Sequence, residues 1–83
     1  MAVNFEKLVL DLVTPLVIHP EDLLVKKFSE DESSITIQVL VNKDDLGRVI
    51  GKGGKIANAI RTISYAAASR IGKRINIDID SFE

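Results

Sequence analysis

Three glycines in four positions, Gly51-Lys52-Gly53-Gly54, interrupt an apolar pattern of helical period that runs from Lys43 to Ile71. A continuous helix does not tolerate such a run, so the stretch must be two helices joined by a tight turn. Ile56, Ala59, Ile60, Ile63, Ala67 and Ile71 recur behind the turn and form the expected core stripe of the second helix. Residues without Cβ adopt positive φ and let a backbone approach a ligand closely. The helix behind the turn offers unpaired N–H groups and a positive dipole end, and Lys52 and Lys55 add charge. This suits a sugar-phosphate backbone better than a buried catalytic centre.

The flanking sequence fixes the rest of the order. Asn4 can cap a helix whose apolar face is Phe5, Leu8, Val9, Leu12 and Leu16, with Pro15 bending or shortening it. His19-Pro20-Glu21-Asp22 reads as a turn. Leu23 to Phe28 reads as a strand, Glu30 to Ser34 as a polar turn, and Ile35, Ile37, Val39 and Val41 alternate with more polar residues in a second strand. Lys43-Asp44-Asp45 opens a short helix that stops at Gly51. Gly72 is a natural stop for the long helix, and Ile75, Ile77 and Ile79 alternate in a last strand. The order is αββααβ. A hairpin makes the first two strands antiparallel, and a crossover through two helices makes the second and third parallel. The expected fold is a single α+β domain over residues 1–83, with a three-stranded mixed sheet and three helices on one face.

Net charge is −1, but its distribution is uneven. Residues 1–42 hold three Lys and seven Asp or Glu (−4), residues 43–77 hold eight Lys or Arg and two Asp (+6), and the last six residues add −3. The positive excess centres on the glycine turn, where local potential steers a polyanion more than the total does. The absence of cysteine excludes disulfides and thiolate chemistry and fits a reducing cytosol. No apolar run has the length of a membrane span, and Glu6 and Asp11 make the first segment unlike a signal peptide. The single histidine, His19, precedes a proline in a turn and reads as structural. Asp44-Asp45 reads as helix-start chemistry rather than a metal pair. No metal or cofactor is expected.

Val49-Ile50-Gly51-Lys52-Gly53-Gly54-Lys55-Ile56 resembles the signature of a KH domain, and αββααβ is the type II order. Pro15-Leu16-Val17, His19-Pro20-Glu21-Asp22, Ile60-Arg61-Thr62, Ala66-Ala67-Ala68 and Gly72-Lys73-Arg74 are similar to the stand-alone bacterial KhpA (YlqC) family. The similarity covers about residues 5 to 79. The acidic Ser29–Ser34 turn and the Ser81-Phe82-Glu83 tail depart from it. The resemblance implies a cytoplasmic, non-enzymatic protein that binds single-stranded RNA. Such proteins are regarded as RNA chaperones or regulators, form homodimers, and act with a KhpB (Jag/EloR)-type partner. They are linked to cell-envelope and peptidoglycan homeostasis, cell wall biogenesis, cell shape and cell length.

A KH groove clamps about four nucleotides with its glycine loop. Carried onto this chain, Gly51, Lys52, Gly53 and Gly54 contact phosphates, with Arg48 and Lys55 beside them. Ile50, Ile56 and the second strand form the floor. Tyr65, the single tyrosine, falls away from the loop, so base stacking is not expected and binding should be weak with little sequence preference. The side of the long helix opposite the core stripe, Asn58, Arg61, Thr62, Tyr65, Ala68 and Ser69, carries one charge among small residues and is the expected dimer or partner face. Two other readings compete. Gly47 to Gly53 superficially resembles a nucleotide-binding P-loop, but its spacing is one residue short and Gly53 stands where Ser or Thr should bind Mg²⁺. A protein-interaction module with incidental RNA binding is the alternative.

Overall fold

The computed structural model describes residues 3–82. The ends of the expected 1–83 domain, including Glu83 of the acidic tail, lie outside that range. The order is α1 (Phe5–Val13), β1 (Leu24–Glu30), β2 (Ser34–Val41), α2 (Leu46–Ile50), α3 (Lys55–Ser69) and β3 (Arg74–Ser81), the expected αββααβ. The Asn4 side chain accepts the Lys7 N–H at 3.1 Å and starts α1. Pro15 sits in a 3₁₀ turn that follows its end at Val13. Asp31 makes the β1–β2 turn by accepting the N–H groups of Ser33 and Ser34, both at 2.8 Å. No helix among the described residues is long and apolar enough to cross a membrane.

The sheet order is β1-β2-β3, with β1 and β2 antiparallel and β2 and β3 parallel. The central strand alternates as expected: Ile35, Ile37, Val39 and Val41 are buried beneath the helices. Phe5, Val9 and Val13 of α1, Val49 of α2, and Ile75 and Ile77 of β3 complete the centre of the core. The long helix stops at Gly72, whose φ is +73°. The Lys73 N–H reaches the Ala68 carbonyl and the Gly72 N–H reaches that of Ser69, at 3.0 and 3.1 Å, a Schellman closure.

One expectation fails. The face that α3 turns to the sheet is Ala57, Ile60, Ser64 and Ala68, all buried, whereas the expected stripe was Ile56, Ala59, Ile60, Ile63, Ala67 and Ile71. Ile56 and Ala67 are partly covered, Ala59 is exposed, and Ile63 and Ile71 are 47% and 46% exposed. Reading the stripe from large apolar residues rotates the helix, because three of the four positions actually buried are small. Ser64 can occupy such a place because its hydroxyl donates to the Ile60 carbonyl at 2.8 Å, leaving no unpaired polar atom.

Candidate nucleic-acid interface

The glycine turn is held by its own backbone. The Gly51 N–H donates to the Gly47 carbonyl at 2.8 Å and closes α2. The Gly54 N–H donates back to the Gly51 carbonyl at 3.1 Å. Gly51 has φ +77°, and a Cβ there would lie 2.6 Å from Ile56 Cγ1 and 2.9 Å from the Ile56 nitrogen. Gly53 has φ +66° with open space around it, so its constraint is conformational alone. Gly54 occupies the N-cap of α3 with no side-chain bond to the first turn. The first turn of this fifteen-residue helix therefore has no side-chain cap, the Lys55 N–H alone donating back to the Lys52 carbonyl, and an anion is favoured at such an end. Lys52 and Lys55 are exposed beside them and make no ion pair among the described residues. Ile50 and Ile56 are half-buried under the turn.

Arg48 is placed differently from expectation. Its Nη1 donates to the Asp44 carbonyl at 2.7 Å and lies 3.5 Å from Asp45 Oδ1. The guanidinium thus turns toward the start of α2, away from the loop at its other end. Asp45 itself is fully buried, and its two oxygens accept the backbone N–H groups of Ile18 and His19 at 3.0 and 2.9 Å. Burial pushes this carboxyl up. The two backbone hydrogen bonds and the charges of His19 and Arg48 outweigh that push, and its pKa lies below the usual carboxylate value. The His19 ring is 3.5 Å from Glu21 and 3.9 Å from Asp44. Helix-start chemistry at Asp44-Asp45 is real, since the Asn42 side chain caps the Asp44 N–H at 2.8 Å. Asp45 does more: it pins the segment after α1 to the base of the helix that carries the loop.

The inward side chains of β2 lie under the helices at 0–3% exposure, and the alternate ones are half-buried. The strand beside the loop helices is the edge strand β3, which packs against both α2 and α3. Arg61 spans this seam: its Nη2 donates to the Ile77 carbonyl at 3.1 Å. Farther along, Tyr65 and Ser69 of α3 face Gly72 to Asn76 across an open cleft.

A family model described as KhpA/KhpB, KH domain, matches residues 6–79. The chain belongs to this family. It is 49% identical over 74 residues to the RNA-binding protein KhpA of Listeria monocytogenes, covering 89% of this chain and 96% of that one. It is 41% identical over 76 residues to the RNA-binding protein KhpA of Bacillus subtilis, covering 92% and 93%. Among solved structures it resembles the crystal structure of Era in complex with MgGDPNP and nucleotides 1506–1542 of 16S ribosomal RNA. The TM-score there is 0.67 at 16% identity, over 93% of this chain and 29% of that one. At that identity the likeness concerns the fold.

Within this KhpA/KhpB domain the six residues expected on the partner face do not stay together. Asn58, Thr62, Tyr65 and Ser69 are exposed, and Thr62 donates its hydroxyl to the Asn58 carbonyl at 2.9 Å. Arg61 is half-buried on the β3 seam, and Ala68 is fully buried against the sheet. Both leave the set, for the reason that displaced the core stripe: α3 is rotated. The same rotation brings out Ile63, with Ala59 and Ala66 exposed around it.

Proposed function

We propose that this KH domain binds single-stranded RNA through its glycine loop and the α3–β3 seam, without catalysis, in the cytoplasm. The observation that carries the reading is the start of α3 behind Gly51–Gly54, without a side-chain cap, with Lys52 and Lys55 at its mouth making no ion pair among the described residues. Names given to the relatives support it, and the family description joins KhpA with KhpB. The wider role we propose is that of an RNA chaperone or post-transcriptional regulator. It would act with a KhpB-type partner in cell-envelope homeostasis and cell-length control. RNA crosslinking in cells tests the reading. The parent should crosslink, and a chain with Lys52 and Gly53 both replaced by Asp should not. Equal crosslinking of the two would remove the loop from the interface.

A second role rests on Ile63. A solvent face of a helix ordinarily carries several charged residues, and the surface around Ile63 is Ala59, Thr62 and Ala66. Small neighbours let another helix approach closely around one large apolar anchor. We propose that two copies pair through α3, antiparallel about a two-fold axis, with the glycine loops at opposite ends and open to RNA. The same face would serve a KhpB-type partner.

A further inference from the structure

The long helix carries cations and no carboxylate. Lys55 and Arg61 lie within α3 and Arg70 at its C-cap, with no Asp or Glu among them or in the loop Gly51–Gly54. Arg61 is held on the β3 seam by the Ile77 carbonyl. Arg70 is exposed and makes no hydrogen bond or ion pair among the described residues. A spacing of seven residues is close to two helical turns. Ile56, Ile63 and Arg70 have that spacing and so share one face of α3, with Ala59 and Ala66 between them. This is the face proposed above for pairing. In an antiparallel pair centred on Ile63, a residue a given number of places after Ile63 lies level with the residue the same number of places before it. Arg70 of each copy therefore lies level with Ile56 of the other. That places it one residue from Lys55, beside the first turn behind the glycine loop. Packed helices lie about 8–10 Å apart, a gap that an arginine side chain spans.

We infer that each glycine loop is completed in trans: Arg70 of the second copy joins Lys52 and Lys55 at the start of α3 to hold an RNA phosphate, so that RNA binding and self-association are coupled. The inference rests on the RNA-binding and helix-pairing readings above. Without an anion the arrangement is unfavourable. A guanidinium meets the positive end of a helix and a lysine of the same sign, with no carboxylate on the helix or the loop to offset them. The two-fold axis repeats the conflict at both ends of the pair. A phosphate reverses it, because the helix start, Lys52, Lys55 and the second copy's Arg70 all attract the same anion. A ligand that binds the pair more tightly than the single chain strengthens pairing by the same factor. The pair that apolar contact around Ile63 favours is thus weakened by its own charges until RNA supplies the missing anion. Salt acts in opposite directions on the two events. It screens the like charges of the bare pair and releases the RNA.

Sedimentation with and without the tetranucleotide UUUU tests this, since a groove holds about four nucleotides and so short a strand cannot clamp two loops. Without RNA, the dimer dissociation constant of the parent should fall as NaCl rises from about 50 to about 300 mM. At low salt, saturating UUUU should lower it about fivefold or more. Arg70→Ala should pair more tightly than the parent without RNA and lose both responses. Anisotropy with labelled UUUU should show the paired Arg70→Ala chain binding about twofold to fivefold more weakly than the paired parent. In the Ile63→Glu background, where the chain is single, Arg70→Ala should leave the affinity unchanged, because Arg70 lies about 24 Å along the helix from its own loop. An equal loss in both backgrounds would place Arg70 in its own chain's site and overturn the inference. No loss in the paired chain would overturn it too, as would a dimer constant that UUUU leaves unchanged. A parent that stays monomeric at hundreds of micromolar with and without UUUU removes the pairing reading. UUUU that binds neither the parent nor Ile63→Glu removes the RNA-binding reading. The inference falls with either.

Discussion

Gly51 lies so close to Ile56 that a methyl group on its α-carbon would overlap the isoleucine side chain at 2.6 Å. Two positions on, Gly53 has no atom within 4 Å of where its Cβ would be. The turn therefore holds one glycine required by packing and one required by dihedral angle. Gly51→Ala must displace the first turn of α3 and adopt a positive φ as well. It should cost about 2–4 kcal/mol, read as a lower urea midpoint. The Lys52→Asp, Gly53→Asp pair should retain its circular dichroism spectrum, because Asp tolerates the left-handed region better than most residues and meets nothing there. Equal melting of Gly51→Ala and the parent would show that the close approach is dispensable.

Salt dependence should separate the cations. A loop that clamps about two to four phosphates gives a log–log slope near −1.5 to −3, at roughly −0.7 per phosphate on a single strand. Lys52→Ala and Lys55→Ala should each bring the slope nearer zero by up to about 0.7. Arg48 is engaged with Asp44 and Asp45, so Arg48→Ala should change the slope less than either lysine and lower the melting temperature more. Identical slopes in all four proteins would exclude backbone-dominated recognition.

Glu30 and Asp45 contribute to behaviour in acid alongside Asp31, whose carboxyl the N–H groups of Ser33 and Ser34 hold below its ordinary value. Hydrogen bonds from Lys27 and Lys73 hold the Glu30 pKa down to about 2. The carboxyl of Asp45 is also lowered, burial opposing the shift and the N–H groups of Ile18 and His19 producing it. Both groups bind protons more weakly in the folded chain than in the unfolded one. Their stabilisation is complete above about pH 5 and is lost as pH falls through the folded values. Thermal melts from pH 6 to pH 2 should show a steady decline that starts near the ordinary carboxylate range. Asp45→Asn presents an amide to two N–H donors that need a carboxylate. It should melt lower at pH 7 and show a flatter acid decline. A parent curve that is level between pH 5 and 2.5 would contradict the placement of these groups.

In the proposed helix pair, self-association should depend on Ile63 more than on Tyr65. Ile63→Glu should sediment as a monomer at micromolar concentration with the fold retained, because it places a charge at the centre of the proposed helix pair. Tyr65→Glu, at the flank and facing the β3 cleft, should weaken the dimer less. A parent that is monomeric at hundreds of micromolar, and that binds no KhpB-type protein, would remove the interface.

Much of this was legible in the sequence, because local chemistry and tertiary structure agree there. The period-two run from Ile35 to Val41 marked a strand, Gly72 marked the end of the long helix, and the connections gave the strand directions. The rotation of α3 was not legible. Apolar size pointed to Ile63 as core, whereas the sheet selected small residues and accepted Ser64 because its hydroxyl bonds within its own helix. The Asp45 staple joins residues 26 and 27 positions apart. The Arg61 bond lands on a backbone carbonyl, which has no signature in side-chain pattern.

The small residues beneath α3 set a dimension of the α3–β3 cleft. With Ala57, Ser64 and Ala68 against the sheet, the helix axis can settle nearer the strands than a leucine-lined helix would. The spacing between Arg61 and the edge of β3 follows from that depth. A larger side chain at position 64 would raise the helix, stretch the guanidinium away from Ile77, and widen the cleft between α3 and β3. The width of that cleft is thus gauged from its underside, by small side chains that lie beneath the helix.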